Sequence, residues 1–481
     1  MTKDKSHIGE EIEGLKYYPV LDGGCGACLD EPNGESIEYK DDKNCVVDEN
    51  GKRLNNGKKN TQDVSKLDEV VSRLGGENSQ SGTVVMAMSG GVDSSVLPAI
   101  LTRLGYKGIG VHMQFWVDPH SVSEGELADA NKVRSNHLEK VNKFPENKCC
   151  SLESLEHARE IAHKYDMPFY VLNTRDVFKQ KIVDYFIDEF AEGVTPNPCV
   201  ECNRSIKFGY LIEKMRELGA DFLATGHYVK NELVTDEDGD THFALKMATD
   251  KLKDQSYFLY TITQNNLKHC IFPLADLNKD EIREIAEEEG LMKVAKKKDS
   301  QGICFFPEKS HVPFLKRHMK PEVNGANILG PMLTKDGEEK GVHEGLAFYT
   351  IGQRCGLEIG GPGGPWYVIG KDAKKNALIV GANEDLFAKE VNAIKLTFVA
   401  DKIPKAALTD AGMPILARLR HRFTPNDAIL KVNNSNELAT ATIIYVDPQR
   451  AVTPGQSVVF YKGDEVLGGG IIVGECPAGG A

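Results

Sequence analysis

TVVMAMSGGVDSSVL, residues 83–97, changes texture twice within a few residues. Val84, Val85, Met86, Ala87 and Met88 form a β-rich apolar run. The run stops at Ser89-Gly90-Gly91-Val92-Asp93-Ser94-Ser95, and apolar residues resume at helical spacing through Val96, Leu97 and Leu101. The spacing predicts a strand, a tight loop and a helix. Two glycines let the backbone approach a ligand without a Cβ in the way, and the unpaired N–H groups of the new helix point at the same place. Such a place attracts anions, and the serine hydroxyls add donors. Asp93 alone would repel a phosphate; it makes sense with a divalent cation such as Mg²⁺ between them. The loop has no Walker A lysine, so an ordinary P-loop is a poor match.

Downstream, strand and helix patterns alternate. Gly108–Gln114, Phe169–Leu172 and Asp221–Thr225 read as strands, whereas Leu152–Tyr165, Val177–Glu192 and Ile206–Leu218 read as helices. Strands separated by helices mean parallel strands with right-handed crossovers, hence a doubly wound α/β sheet. Ligands of such sheets sit beyond the strand C-termini, where Met113 and Gly226-His227 fall together with the loop. A later helix carries its own punctuation: Asn278 as cap, Glu281 three residues on, Leu277 and Ile282 as a staple, and Gly290 at the end.

Beyond about Pro313 short β-rich runs broken by glycine and proline take over: Tyr349–Gly352, Trp366–Gly370, Ala377–Val380, Ile415–Leu419, Ala441–Val446 and Ser457–Tyr461. These predict a small β-containing central domain over 313–384 and an antiparallel β-barrel over 385–481, after an α/β domain at 81–312. Arg418, Arg420 and Arg422 alternate, which would set them on one face of a strand. Residues 1–80 are polar and rich in Gly, Asn, Asp and Lys. They read as a disordered extension with one helical stretch at Val64–Leu74.

The 481 residues carry a net charge of −13, which argues against nonspecific, charge-driven nucleic-acid binding but leaves room for a local basic patch. No apolar run is long enough to span a bilayer, and neither a secretory signal nor an Arg-rich transit pattern opens the chain. Eleven cysteines, an odd number, suit a reducing compartment better than a secreted disulfide framework. The expected location is cytoplasmic or organellar, in a mitochondrion or plastid.

Three cysteine-bearing stretches stand out. Thr195-Pro196-Asn197-Pro198-Cys199-Val200-Glu201-Cys202-Asn203 reads as a loop stiffened by two prolines. Asp299-Ser300-Gln301-Gly302-Ile303-Cys304 follows Lys296-Lys297-Lys298, whose positive charge favours the reactive thiolate and also suits a phosphate contact. Cys149-Cys150 reads as structural, and Cys25, Cys28 and Cys45 lie in the extension. On its own a Cys-x-x-Cys pair fits a redox dithiol, half a zinc site or part of an iron–sulfur ligand set.

SGGVDSS resembles the pyrophosphate loop of the N-type ATP pyrophosphatases, which split ATP into AMP and pyrophosphate. Joined by ATGHY (224–228), KDQSYFL (253–259), DSQGICF (299–305), YTIGQR (349–354), PWYV (365–368) and TPGQ (453–456), it resembles the tRNA-specific 2-thiouridylases from about residue 82 to 475, in the family's order. The resemblance implies that Ala87, Met88, Ser89, Gly90, Gly91, Val92, Asp93, Ser94, Met113 and Gly226 bind ATP. It implies that AMP is transferred to the uridine C2 oxygen, and that sulfur rides as a persulfide on Cys304, supplied by a relay protein or cysteine desulfurase. Cys202 then completes its release. It places Asn197, Pro198, Cys199, His227, Lys253, Asp254, Gln255, Arg420, His421 and Gln456 at positions contacting tRNA, whose anticodon loop can offer a flipped base.

One departure is notable. Many members have Asp where this chain has Cys199, and Cys199, Cys202 and Cys304 together would offer three ligands to a [4Fe-4S] cluster. Sequence leaves cluster and persulfide chemistry both open. Two other functions remain beside tRNA thiolation: another enzyme on the same nucleotide domain, such as an amidotransferase-type synthetase, and an RNA-binding protein that has lost its catalysis.

Overall fold

The computed structural model describes residues 65–119, 151–236, 239–297, 302–306, 308, 310–319, 328–360, 363–434 and 439–474, together with the backbone of 15–18. Cys25, Cys28, Cys45, Cys149, Cys150, Lys298 and Asp299–Gln301 lie outside the described residues.

Thr83–Ala87, Lys107–Gln114, Phe169–Asn173, Phe222–Ala224 and Cys270–Ile271 run parallel. Across the sheet their order is Phe169–Asn173, Lys107–Gln114, Thr83–Ala87, Phe222–Ala224, Cys270–Ile271. The chain steps outward from Thr83–Ala87 in one direction, then crosses to its other side. The topological switch therefore lies between Thr83–Ala87 and Phe222–Ala224, where a doubly wound sheet opens its ligand crevice. Both faces are covered: Val84 and Met86 enter one apolar cluster, while Val85 between them enters another with Val111 and Leu223.

The extension, read as largely disordered with one helical stretch, holds that helix at Lys66–Arg73 and a strand that was not expected. Leu15–Tyr18 pairs antiparallel with Phe169–Asn173, Leu15 opposite Leu172 and Tyr18 opposite Phe169, and covers that edge of the sheet.

Local signals explain most helices. Ser151 caps Leu152–Lys164 by accepting the Ser154 N–H at 3.1 Å. Asn278 and Glu281 form a reciprocal capping box on Lys279–Glu288, and Gly290 follows with φ 72°. The helix expected from Ile206 begins earlier. Asn197 caps it, Pro198 occupies its first turn, and Pro198–Cys202 leads through a wide π-helical stretch, Asn203–Tyr210, into Leu211–Glu217. Cys199 and Cys202 thus sit on a helical turn rather than in a loop. A second π-helical stretch, Lys179–Asp184, interrupts the helix that runs from Arg175 to Ala191.

The expected barrel is present. Phe387–Phe398, Met413–Arg418, Asn426–Asn434, Ala439–Arg450, Ser457–Lys462 and Glu465–Val473 are antiparallel, and Phe387–Phe398 closes the ring by pairing with both Ala439–Arg450 and Glu465–Val473. An unforeseen hairpin, Val229–Thr235 with Thr241–Met247, leaves the α/β domain and joins the barrel sheet at Glu465. The central domain holds a four-stranded sheet ordered Glu339–His343, Gly330–Leu333, Ala377–Gly381, Tyr367–Asp372.

Two β readings fail. Tyr349–Gly352 follows a 3₁₀ turn at Leu346–Phe348 and is no strand, although Gly352 N–H donates to Val368 O at 2.8 Å. The Met413–Arg418 strand ends before Arg420, so the three arginines share no face: Arg418 is buried, Arg420 half-buried and Arg422 exposed.

Candidate active site

The loop Ser89–Ser94 lies at the switch point and is held by its own hydrogen bonds. Ser94 Oγ accepts the Ser89 N–H at 3.1 Å and donates to Gly91 O, and Ser95 Oγ donates to Gly91 O at 2.8 Å. Gly90 has φ 73°, and a Cβ there would stand 2.3 Å from the Ser154 carbonyl oxygen, so only glycine fits against the neighbouring helix. Gly226 approaches from the other side of the switch; a Cβ on it would lie 3.1 Å from Asp93 C and 3.2 Å from Ser94 N. Met88 and Val92 are buried and can meet a ligand only through their backbone, while Ser89 is exposed at the mouth. Buried His112 fixes Met88 O through Nδ1 at 2.8 Å, and burial holds its pKa below the usual histidine range.

Asp93 is more engaged than its sequence context implies. Lys279 Nζ donates to Asp93 Oδ1 at 2.7 Å and Oδ2 at 2.9 Å, and the Tyr228 hydroxyl donates to Oδ1 at 2.6 Å. The carboxylate remains one-third exposed, so Oδ2 can still serve Mg²⁺ as a single ligand, the others coming from phosphate and water. Lys297 Nζ donates to Ser154 Oγ at 3.1 Å, which brings one residue of the basic run against the wall that Gly90 touches.

The cysteines divide. Cys202 is buried in an aromatic cluster with Phe178, Phe186, Phe305 and Phe314, and Cys304 packs against the same cluster, half-exposed. Cys199, one helical turn from Cys202, is exposed. Among the described residues no three of His, Cys, Asp and Glu converge closely enough to hold a metal ion. Of the three thiols that the sequence offers to a [4Fe-4S] cluster, Cys199 is exposed, Cys202 buried and Cys304 between the two.

The positions expected to touch tRNA also divide. Asp254 is 2% exposed: its carboxylate accepts from Arg418 Nη1 at 2.9 Å, Ser256 Oγ at 2.9 Å and Ala248 N at 3.2 Å. It is a strut between the α/β domain and the barrel, with no surface left for RNA. Gln255 accepts the Tyr228 N–H at 3.1 Å through its side chain. Gln456 donates through Nε2 to Thr195 O at 2.9 Å and Pro196 O at 2.8 Å, clamping the segment before Cys199 to the barrel. Arg420 donates to Ala451 O at 2.9 Å, and the His421 ring meets Asp254 O at 2.8 Å. Lys253 is half-buried, and Asn197 and Pro198 form the cap and first turn of the cysteine helix.

His227 is buried, with Nδ1 2.8 Å from Thr225 Oγ1 and Nε2 3.4 Å from Lys207 Nζ. An ammonium can only donate, so Nε2 accepts and Nδ1 carries the proton. Burial foremost, then the Lys207 charge, push its pKa well below the usual value and keep the ring neutral. Sequence reasoning missed Lys279, Tyr228 and Lys207, and singled out Arg418 without its partner Asp254. Tyr228 lay within the quoted ATGHY, but nothing in spacing tied Lys279 to Asp93, 186 positions away.

A glycine–serine anion loop at the switch of a doubly wound sheet, followed by a barrel bonded to a cysteine helix, defines a nucleotide-dependent enzyme of the pyrophosphatase-loop class. Family profiles match in the same order: "tRNA methyl transferase HUP domain" over residues 82–308, "tRNA methyl transferase PRC-barrel domain" over 313–382, and "Aminomethyltransferase beta-barrel domain" over 388–472. The tRNA-specific 2-thiouridylase MnmA 1 of Caldanaerobacter subterraneus subsp. tengcongensis is 43% identical over 389 residues, 81% of this chain and 97% of that protein. Its counterpart MnmA from Clostridioides difficile is 42% identical over the same shares. A crystal structure of a 4-thiouridine synthetase–RNA complex with bound ATP is alike at 18% identity and a TM-score of 0.27, covering 49% of this chain and 50% of that one. The chain belongs to the tRNA-specific 2-thiouridylase family, whose members are tRNA-uridine sulfurtransferases. Among the described residues no helix is long and apolar enough to cross a membrane.

Proposed function

We propose that the chain 2-thiolates the wobble uridine of tRNA, using ATP bound at Ser89–Ser94 and sulfur carried on Cys304. The observation that supports this reading is Met113. Its side chain packs both against the apolar cluster that Ala87, at the end of the loop's strand, also meets and against the aromatic cluster that contains Cys202 and borders Cys304. Met113 thus links the strand that carries the nucleotide loop to the cluster beside the cysteines, which supports a shared site.

The uridine C2 oxygen is a poor leaving group. Its attack on the α-phosphorus of ATP expels pyrophosphate, and Mg²⁺ held in part by Asp93 would neutralise charge on the departing group. The terminal sulfur of a Cys304 persulfide then attacks C2, and AMP leaves with the former C2 oxygen. The Cys202 thiolate attacks Cys304 Sγ; the S–S bond to the substrate breaks, 2-thiouridine is released and a Cys202–Cys304 disulfide remains for an external thiol to reduce. The aromatic cluster backs Cys304 on one side and buries Cys202. Cys199, exposed and outside that cluster, has no required step. A relay protein or cysteine desulfurase would reload Cys304. Neutral His227, at the strand end beside the loop, has both ring nitrogens engaged by Thr225 and Lys207 and braces that wall of the site without adding a charge.

The matching domain families are named for methyl transfer, but the paired cysteines suit sulfur transfer better. Mass spectrometry of tRNA nucleosides after incubation with ATP, a persulfide donor and the protein tests the proposal. Accumulation of 2-thiouridine is expected, and unmodified uridine under active sulfur supply would refute it.

A further inference from the structure

The nucleotide loop has no lysine, yet an anion nest that contains Asp93 needs a cation. We propose that Lys279 is that cation: a pyrophosphate-binding residue delivered from a distant helix and parked on Asp93 until nucleotide arrives. The inference rests on the ATP-binding reading of the loop.

Three observations carry it. Lys279 is 8% exposed, and its ammonium meets both oxygens of a carboxylate that belongs to the loop itself. It occupies the first turn of Lys279–Glu288, whose cap is a complete capping box, so its backbone is fixed. Tyr228 OH shares Oδ1 of the same carboxylate and steers it toward the lysine. A part-buried ion pair of this kind is a weak source of stability, because desolvation offsets much of the attraction. Its placement inside an anion site gives it a use. Without ligand the pair is neutral, so the nest does not repel phosphate. With ligand the ammonium has a second anion beside it, and Asp93 Oδ2 becomes available to Mg²⁺. A lysine from outside the loop would thereby do what a P-loop lysine does from within it.

The test is equilibrium binding of inorganic pyrophosphate and of AMP to the full chain, by calorimetry in EDTA, so that Asp93 acts only as a charge. Lys279→Met is expected to weaken pyrophosphate about tenfold or more while changing AMP less than about twofold, and Lys279→Arg to retain most of the affinity. If Lys279 merely cancels Asp93, the double variant Lys279→Met/Asp93→Asn regains wild-type pyrophosphate binding, and that recovery would overturn the proposal. So would an unchanged pyrophosphate affinity in Lys279→Met, or an equal loss for AMP and pyrophosphate. The double variant carries no buried charge to destabilise it, so it also serves if the single variant folds poorly. Wild-type protein that binds neither pyrophosphate nor ATP would instead sink the ATP reading itself.

Discussion

The nucleotide loop and the cysteine pair are built by opposite strategies. Ser89–Ser95 closes on itself through serine hydroxyls and the Gly91 carbonyl, and its neighbours need only leave room at Gly90 and Gly226. The cysteine helix is held from outside: Gln456 grips Thr195 and Pro196 from the barrel, Pro454 O accepts the Thr195 N–H at 3.1 Å, and Asn203 donates to Phe258 O at 3.2 Å. The third cysteine comes from beyond the sheet altogether. A self-contained loop can be read from a few contiguous residues and should survive damage elsewhere. A site assembled across domains should fail when its clamps fail.

Substitution of the cysteines breaks this contrast most severely. Cys304→Ser is expected to leave no detectable 2-thiouridine while ATP binding, measured by calorimetry, stays at wild-type strength. Cys199→Ser should keep most thiolation, and a complete loss there would end the two-cysteine scheme. Arg418→Met comes next. It strands the buried Asp254 carboxylate, so a cost of about 3–5 kcal/mol in urea unfolding is expected. Where the protein still folds, thiolation should suffer more than ATP binding, because Asp254 ties the barrel to the segment carrying Gln255 and Tyr257.

The same contrast explains what sequence could reveal. Four of the five parallel strands, the capping box at Asn278–Glu281 and three of the six barrel strands were legible because their hydrophobic periods and caps are local. Leu15–Tyr18 was hidden because a short edge strand in a polar segment has no period to detect. The hairpin Val229–Met247 was hidden by the charged residues on its exposed side. The tRNA positions came from family resemblance, which cannot distinguish a residue that touches RNA from one that holds the contact in place. Asp254 and Gln456 prove to be braced against protein. Lys279 carried a legible signal only as a helix start, since its pairing with Asp93 depends on the fold.

Gly90→Ala tests the loop's independence from the other direction. The added methyl meets the Ser154 carbonyl at an unfavourable φ, and the strain alone is worth about 1–3 kcal/mol. ATP affinity should fall, yet alkylation of Cys304 by iodoacetamide should proceed at the wild-type rate. Gln456→Ala should give the mirror image at smaller size. Losing two hydrogen bonds costs about 1–3 kcal/mol and lowers thiolation in single-turnover assays, with ATP affinity unchanged.

The smallest effect expected is on pH dependence, and it tests whether both regions share one weakness. His112 beneath the nucleotide loop and His227 beside it are buried and neutral, with folded pKa values held below 6.5. The unfolded chain takes up protons on these rings near pH 6.5, before the folded chain does, so unfolding binds protons and stability falls as pH drops. Urea midpoints should therefore be flat above about pH 7.5 and decline below about pH 6.5. His227→Gln should flatten part of that decline, since glutamine does not titrate. If the variant loses stability in parallel with wild type at every pH, the buried imidazole contributes nothing to the acid sensitivity, and its neutral form has no thermodynamic cost that the fold must sustain.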